Sequence, residues 1–220
     1  MKRKLVIAGA VIACAAACQM IHADTAQAAK KYTISKSTKP CNSAYIKEKG
    51  YNSKSKNYYT IKSYLEKLKK QGGGTLVLKK GTYKICSTLT VPSKVTIQLK
   101  NGVVLKKTDK TGSKSLKAGK VMFKLTSAKA KDYKGTKKVV ITSNKKATID
   151  LGKVKNAVAI DMGHNYNVSI SNLKFRNKNA GTYINVAGSR TVKVSNCTFQ
   201  GNKNYTGGSY QAAVMVNAYK

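Results

Sequence analysis

The chain has 220 residues, of which 43 are basic and 7 acidic, so its formal charge is +36. A charge this large attracts polyanions. Beyond the first residues no segment approaches the roughly 20 apolar residues of a membrane span, so no transmembrane helix is predicted. Lysine supplies nearly all of the charge, and an AT-rich coding bias or protection of exposed strands from edge pairing would also explain that excess.

The first 28 residues are predicted to be a secretory signal peptide. Basic residues 2–4 precede an apolar stretch over residues 5–17, and small residues surround Ala26 and Ala28. This order is typical of an export signal that is cleaved before the mature chain, so we expect a secreted, extracellular protein that begins at Ala29. Residues 11–14 also resemble a lipoprotein box, and in that alternative Cys14 carries a lipid anchor at the membrane.

The polyanions expected to bind an exported protein are acidic polysaccharide, cell-wall polymers such as teichoic acid, and anionic membrane surfaces. DNA is a less plausible ligand outside the cell. The expected partner is therefore an acidic polysaccharide or a cell-wall polyanion. Nucleic acid is not expected as a partner, and the protein is expected to be a monomer.

A polar segment over residues 29–57 leads into a helix predicted over residues 58–71. The apolar residues of this helix recur at helical spacing, namely Ile61, Tyr64, Leu65 and Leu68. Three glycines at 72–74 end the helix, and a strand with Leu76 and Leu78 follows at once. The single apolar stripe predicts a capping helix that covers these two leucines.

The strongest pattern is an internal repeat, in which residues 160–175 recur as residues 184–199, 24 positions later. A short fixed period is typical of a solenoid, and apolar and polar residues alternate within each unit as in strands. Asn172 and Asn196 interrupt the alternation at equivalent places, and asparagine tolerates the left-handed backbone of a bend. We therefore predict two stacked bends whose side chains share hydrogen bonds. The residues predicted to point inward are Val168, Ile170, Leu173 and Phe175 with Val192, Val194, Cys197 and Phe199.

Related segments begin at Val95, Val139 and Val214, at unequal spacing. Insertions in a solenoid form lateral loops while the strands keep register. Residues 58–220 are therefore predicted to form the capping helix and an all-β, right-handed parallel β-helix. The last coil stops at Lys220, which leaves strand edges that are normally covered, so we expect the chain to be truncated at its C-terminus.

Residues 72–107 resemble the N-terminal signature of the pectate-lyase-like right-handed parallel β-helix superfamily. The matching motifs are Gly-Gly-Gly before a strand, Gly-Thr-Tyr at 81–83, the Pro-Ser-x-Val-Thr-Ile coil at 92–97, and Gly-x-x-Leu at 102–105. The chain is most similar to secreted β-helix proteins of low-GC Gram-positive bacteria. The resemblance implies the β-helix fold, whereas the activity stays open, because this fold hosts lyases, hydrolases, esterases and adhesive proteins.

Candidate catalytic groups are few, and Asp150 and Asp161 are the acids of the regular coils. Glycosidases of this fold use paired carboxylates. The lyases that the chain resembles bind Ca²⁺ through clustered acids and remove a proton with Lys or Arg. The candidate catalytic residues are Asp150, Asp161 and His164, and the candidate substrate-binding residues are Lys174, Arg176 and Arg190. No cofactor is evident and no metal site is predicted, and Ca²⁺ is considered as a cofactor only if the chain is a lyase. His164 precedes a bend, so it is also explained as a turn residue.

The resemblance implies that this chain has lost acids of its relatives. In those relatives the segment matching residues 181–187 carries His and acids, and Thr182, Asn185 and Ala187 replace them here. In the next coil Ala212 and Asn217 replace acids. If those acids form the relatives' active site as a row of carboxylates on successive coils, this chain lacks that row.

The three cysteines that follow the signal peptide are an odd number, so they do not form a disulfide framework. Cys197 occupies the repeat position of Leu173 and is predicted to lie in the core. A Cys41–Cys86 bridge is one alternative, and free thiols are the other.

Two functional hypotheses follow. One is an exported carbohydrate-active enzyme, a lyase or glycoside hydrolase, that acts on acidic polysaccharide. The other is a non-catalytic surface or adhesive protein that holds polyanionic glycan or wall polymer through its lysines. Scarce acids favour the second hypothesis, and the family resemblance favours the first.

Overall fold

The computed structural model describes residues 30–126, 129–202 and 212–218. The predicted signal peptide over residues 1–28, Ala29 and the alternative anchor Cys14 lie outside the described residues. The described part is mostly β, with parallel strand pairs throughout and one α-helix.

The elements occur as successive coils. Before the first coil come β1 (Lys31–Ile34), a short 3-10 helix (Ser43–Ile46) and α1 (Lys56–Lys70). The first coil contains β2 (Gly74–Leu78), β3 (Gly81–Ile85) and β4 (Leu89–Thr90), and the second contains β5 (Val95–Leu99), β6 (Val103–Lys107) and β7 (Val121–Lys124). The third coil contains β8 (Lys137–Asp150) and β9 (Val158–Gly163), and the fourth contains β10 (Tyr166–Lys178) and β11 (Ile184–Ala187). The fifth contains β12 (Arg190–Ser195), β13 (Thr198–Asn202) and β14 (Val214–Asn217).

These strands form three parallel stacks. The first stack contains β1, β2, β5, the first halves of β8 and β10, and β12. The second contains β3, β6, the second halves of β8 and β10, and β13. The third contains β4, β7, β9, β11 and β14. Parallel stacking of consecutive coils is a β-helix-like arrangement, in agreement with the mostly β, parallel architecture that the repeat predicts.

The 24-residue repeat sets the register between strands of neighbouring coils, because paired residues are 24 positions apart. Ile170 pairs with Val194, and Phe175 pairs with Phe199. The two phenylalanine rings are stacked, with centroids 5.0 Å apart. Ile170 and Phe175 are buried, and their partners in the next coil are partly buried against the same core. The predicted inward face is therefore confirmed.

At the corners, where the chain turns from one stack to the next, residues adopt the left-handed backbone conformation. Asn172 and Asn196 have φ of 58° and 52°, which confirms the predicted bends. No hydrogen bond joins their two side chains in the part of the chain that the structure describes, so the predicted side-chain ladder is wrong at this pair. A second corner lies at the start of the first-stack strands, where Lys94, Lys138, Asn167 and Thr191 have φ between 53° and 61°.

The helix α1 lies against the strands of the first two coils. Ile61, Leu65 and Leu68 are buried, in one core cluster with Leu76 and Leu78. The helix ends where Gly73 N donates to Leu68 O at 2.9 Å. At Gly73 a Cβ would collide with the Lys94 carbonyl, which explains a glycine at this point.

All three described cysteines are free thiols. The Cys41–Cys86 bridge considered above is therefore wrong. Cys86 points into the core, whereas Cys41 is exposed beside α1, where its Sγ donates to Ser63 Oγ at 3.5 Å. Cys197 packs partly buried against the core, as its repeat position predicts.

Within the described ranges, no helix has the length and apolar character needed to cross a membrane.

Candidate functional site

One column of side chains crosses the outward face of the second stack. Its chain neighbours on the strands are buried core residues, so strand alternation turns the column toward the surface. Register pairing places its members side by side: Lys84, Lys106, Asp150, Arg176 and Gln200. Lys84 and Lys106 are exposed.

Asp150, the one acid of this column, accepts hydrogen bonds from three neighbouring groups. The Asp150 side chain is 4 % exposed. Its Oδ1 accepts from Gly152 N at 2.7 Å and Asn177 Nδ2 at 3.0 Å, and its Oδ2 accepts from Arg176 Nε at 3.0 Å. These contacts fix and neutralise the carboxylate, so the column presents positive charge to solvent.

A second column on the same face contains the predicted substrate-binding Lys174. Lys174 is half-buried between its register partners Thr148 and Thr198. Lys146 reaches the same place, because its Nζ donates to Thr198 Oγ1 at 3.4 Å. We call the five cations of this surface the basic face: Lys84, Lys106, Lys146, Lys174 and Arg176.

Asp161 lies elsewhere, on the outward side of the third stack. Asn185 Nδ2 donates to Asp161 Oδ1 at 2.8 Å, and Asn217 Nδ2 donates to Asn185 Oδ1 at 3.2 Å. Lys124 is the register partner of Asp161 on the other side. Asn185 and Asn217 are two of the positions at which the resemblance implies lost acids, and here they form an amide chain beside a single carboxylate.

His164 is part of a turn. It follows β9 with φ of 58°, and its backbone N–H donates to Ala187 O at 3.2 Å. Its ring Nδ1 lies 2.8 Å from the Asp132 carbonyl oxygen. A carbonyl only accepts, so Nδ1 carries the proton in this contact.

Arg190 opens β12 on the first stack, where it is the register partner of Tyr166. Its backbone N–H donates to Asn165 O at 2.9 Å. Tyr166 is 39 % exposed, so the arginine and the phenol ring lie at the surface of the same corner.

The predicted site residues therefore fall into separate groups. Asp150, Lys174 and Arg176 come together on the basic face. Asp161 and His164 belong to the third stack and its following turn, and Arg190 belongs to the first. Asp150 and Asp161 lie on different stacks, and within the described residues no three His, Cys, Asp or Glu side chains cluster as metal ligands would.

Lys107 is a buried cation that the sequence did not single out. It ends β6, is 1 % exposed, and donates from Nζ to Ile85 O at 3.0 Å and Thr108 O at 3.1 Å. Burial lowers the pKa of Lys107 to about 8, and burial raises the pKa of the neighbouring Cys86 thiol. Both groups lie in the core, so they affect stability and not ligand contact.

No protein-family model matches the chain, and no curated protein matches it. Among solved structures the chain is similar to a "putative glycosyl hydrolase" from Parabacteroides merdae, with 16% sequence identity, a TM-score of 0.49, and coverage of 86% of this chain and 95% of that chain. A likeness at this level says nothing about the activity of this chain.

Proposed function

We propose that this chain is an exported, right-handed parallel β-helix of the pectate-lyase-like superfamily that binds acidic polysaccharide through its basic face without cleaving it. One observation carries the proposal. Five cations share this outward face, and the single carboxylate among them, Asp150, is buried and paired with Arg176. The face therefore attracts anions with no exposed acid in its two columns to repel them.

The geometry of the face suits a polymer. Neighbouring parallel strands lie about 4.8 Å apart, so successive outward side chains of each column lie at about that distance from one another across the coils. An extended polyuronate that crosses the strands meets a cation or a hydroxyl at nearly every strand. Each exposed ion pair contributes no more than about 1 kcal/mol, and linked pairs add through effective concentration.

The hand of the coil and the family are supported by different observations. Crossovers between parallel strands are right-handed in about 98 % of cases. The motifs of residues 72–107 support the family. Export is supported by the order of basic, apolar and small residues within positions 1–28.

The placement of the acids supports binding without cleavage. General acid–base catalysis needs a group within reach of the reacting proton, and the hydrolases use two carboxylates on either side of one bond. Asp150 is enclosed by its donors, and Asp161 lies between the amide of Asn185 and its register partner Lys124. This arrangement favours the adhesive alternative over the lyase or hydrolase.

The test measures polygalacturonate binding by the full mature chain and by the double variant Lys84→Gln/Lys106→Gln. A matched control, Lys110→Gln/Lys155→Gln, removes the same charge from exposed lysines outside the basic face. We expect about tenfold weaker binding for the first variant and little change for the control. Binding by all three proteins should weaken as salt rises from 0.1 M to 1 M, where the Debye length falls from ~10 Å to ~3 Å.

Equal losses in the two double variants would show that net charge binds the polymer and the basic face does not. The same proteins are incubated with polygalacturonate with and without Ca²⁺, and unsaturated uronides are followed by absorbance. Their calcium-dependent release would establish a lyase and overturn the non-catalytic proposal.

A further inference from the structure

A groove of about 710 Å³ lies at the capped end of the molecule, between α1 and the segments that follow β4 and β7. Four lysines line it: Lys62, Lys69, Lys94 and Lys134. The groove is separate from the basic face, because its walls come from α1 and from the corners next to the third stack. Its volume is in the range of sites that enclose a small ligand.

The charge of the groove is positive. Its one acid, Glu66, accepts a hydrogen bond from the Tyr45 hydroxyl and lies 4.0 Å from Lys62 Nζ. Lys134 lies 3.6 Å from Asp132, but both side chains are largely exposed, so this pair is weak. Neither Lys69 nor Lys94 forms an ion pair within the described part of the chain. Two ammonium groups are thus available to an anion.

The rest of the lining is amphipathic. Pro92 supplies the accessible apolar surface, above the buried side chains of Leu65 and Val91. Hydroxyls surround it at Thr88, Thr90, Ser93, Thr126 and Thr136. A pyranose ring has the complementary surfaces, because its C–H face packs on apolar side chains while its hydroxyls exchange hydrogen bonds. An acyclic phosphate polymer would use the lysines and leave the apolar surface without a partner.

We infer that this groove binds a short oligosaccharide of uronic acid, with the sugar ring against Pro92 and the carboxylate at Lys69 and Lys94. The inference rests on the proposed function and assigns it a second site, in an open groove. The basic face meets the repeating polymer, whereas the groove recognises a short stretch of it.

The experiment titrates trigalacturonate into the full mature chain by calorimetry, with backbone NMR shifts to locate binding. The test variant is Lys69→Gln/Lys94→Gln, and the matched control is again Lys110→Gln/Lys155→Gln. We expect at least about tenfold weaker binding in the test variant, because charged hydrogen bonds are lost, and less than about twofold change in the control. Thr90→Val, which removes one hydroxyl at nearly constant volume, should also weaken binding.

Two further ligands complete the test. Neutral galactose trisaccharide should bind much more weakly than trigalacturonate, because it lacks the carboxylates. A glycerol phosphate trimer that binds as tightly as trigalacturonate and loses affinity in the same variant would show a phosphate site and overturn the sugar assignment. Wild-type chain that binds polygalacturonate but not trigalacturonate would overturn the groove alone, whereas failure to bind either would also remove the proposed function.

Discussion

Arg176 Nε donates to Asp150 Oδ2 at 3.0 Å, and the two residues are register partners on adjacent strands of the second stack. The carboxylate is 4 % exposed and the guanidinium side chain 43 %. The buried partner therefore fixes the exposed one. This pair gives the basic face one rigid cation among flexible lysines.

Asp150→Asn should destabilise the protein by about 2 kcal/mol, because the amide nitrogen cannot accept from Arg176 and a charged hydrogen bond is lost. Urea denaturation measures the change. Binding of polygalacturonate at a temperature where the variant stays folded should not fall, since Asp150 anchors the face and does not contact the ligand.

Asp161→Asn is the matched control. Asp161 is more exposed and accepts one hydrogen bond, from Asn185, so its loss should cost less than about 1 kcal/mol. Equal costs for the two substitutions would contradict the structural role of Asp150.

Leu65→Ala should lower the free energy of unfolding by about 3 kcal/mol, because this α1 side chain is 1 % exposed in the common core and its removal leaves a cavity. Thermal and urea unfolding measure the change. Lys70→Ala on the exposed side of the same helix should change stability by no more than about 0.5 kcal/mol. An unchanged melting temperature for Leu65→Ala would show that α1 does not cap the core.

The repeat could be converted into register because strand alternation and a constant 24-residue offset each limit the alignment. Ile170 and Val194 are one repeat apart, so they can pair only if one repeat makes one full coil of the solenoid. They do pair. The bends at Asn172 and Asn196 were predictable because asparagine favours left-handed backbone. The equivalent conformation at Lys138 and Thr191 was not, since those residue types do not favour it and the stacked coils impose it.

The site was only partly predictable. Lys174 and Arg176 stand out within the repeat, but Lys84 and Lys106 precede it and join them only through three successive strand pairings. The burial of Asp150 could not be foreseen either, because side chains at outward strand positions are normally exposed to solvent. Its enclosure depends on the turn at Gly152 and on the Asn177 side chain. The groove depends on how α1 packs, which strand periodicity does not encode.

Thr191→Gly should stabilise the protein by about 1 kcal/mol. Thr191 has φ of 56°, and left-handed backbone costs a β-branched residue roughly 1–2 kcal/mol that glycine avoids. Part of this gain is offset by the greater freedom of glycine in the unfolded chain. Thr198→Gly, on a strand of the same coil without positive φ, should be destabilising. Opposite signs in thermal unfolding are expected, and losses of equal size in both variants would show that Thr191 is unstrained.

Lys107 should make stability depend on pH in a defined window. Burial lowers its pKa from 10.5 to about 8. Below pH 8 both states are protonated and the folded state has the cost of a buried charge. Between about pH 8 and 10.5 the unfolded state binds more protons, so the free energy of unfolding rises with pH.

The free energy of unfolding of the wild type minus that of Lys107→Met should therefore increase by about 3 kcal/mol between pH 7 and pH 10.5. Chemical denaturation at several pH values measures both proteins, and groups common to the two chains, such as Tyr83 with its pKa raised to about 12 by burial, largely cancel in the difference. The exposed neighbour Lys106→Met serves as control and should give a nearly constant difference, because the Lys106 side chain is in contact with solvent in both states. Parallel profiles for wild type and Lys107→Met would mean that Lys107 stays charged in the core, held by its two carbonyl acceptors alone.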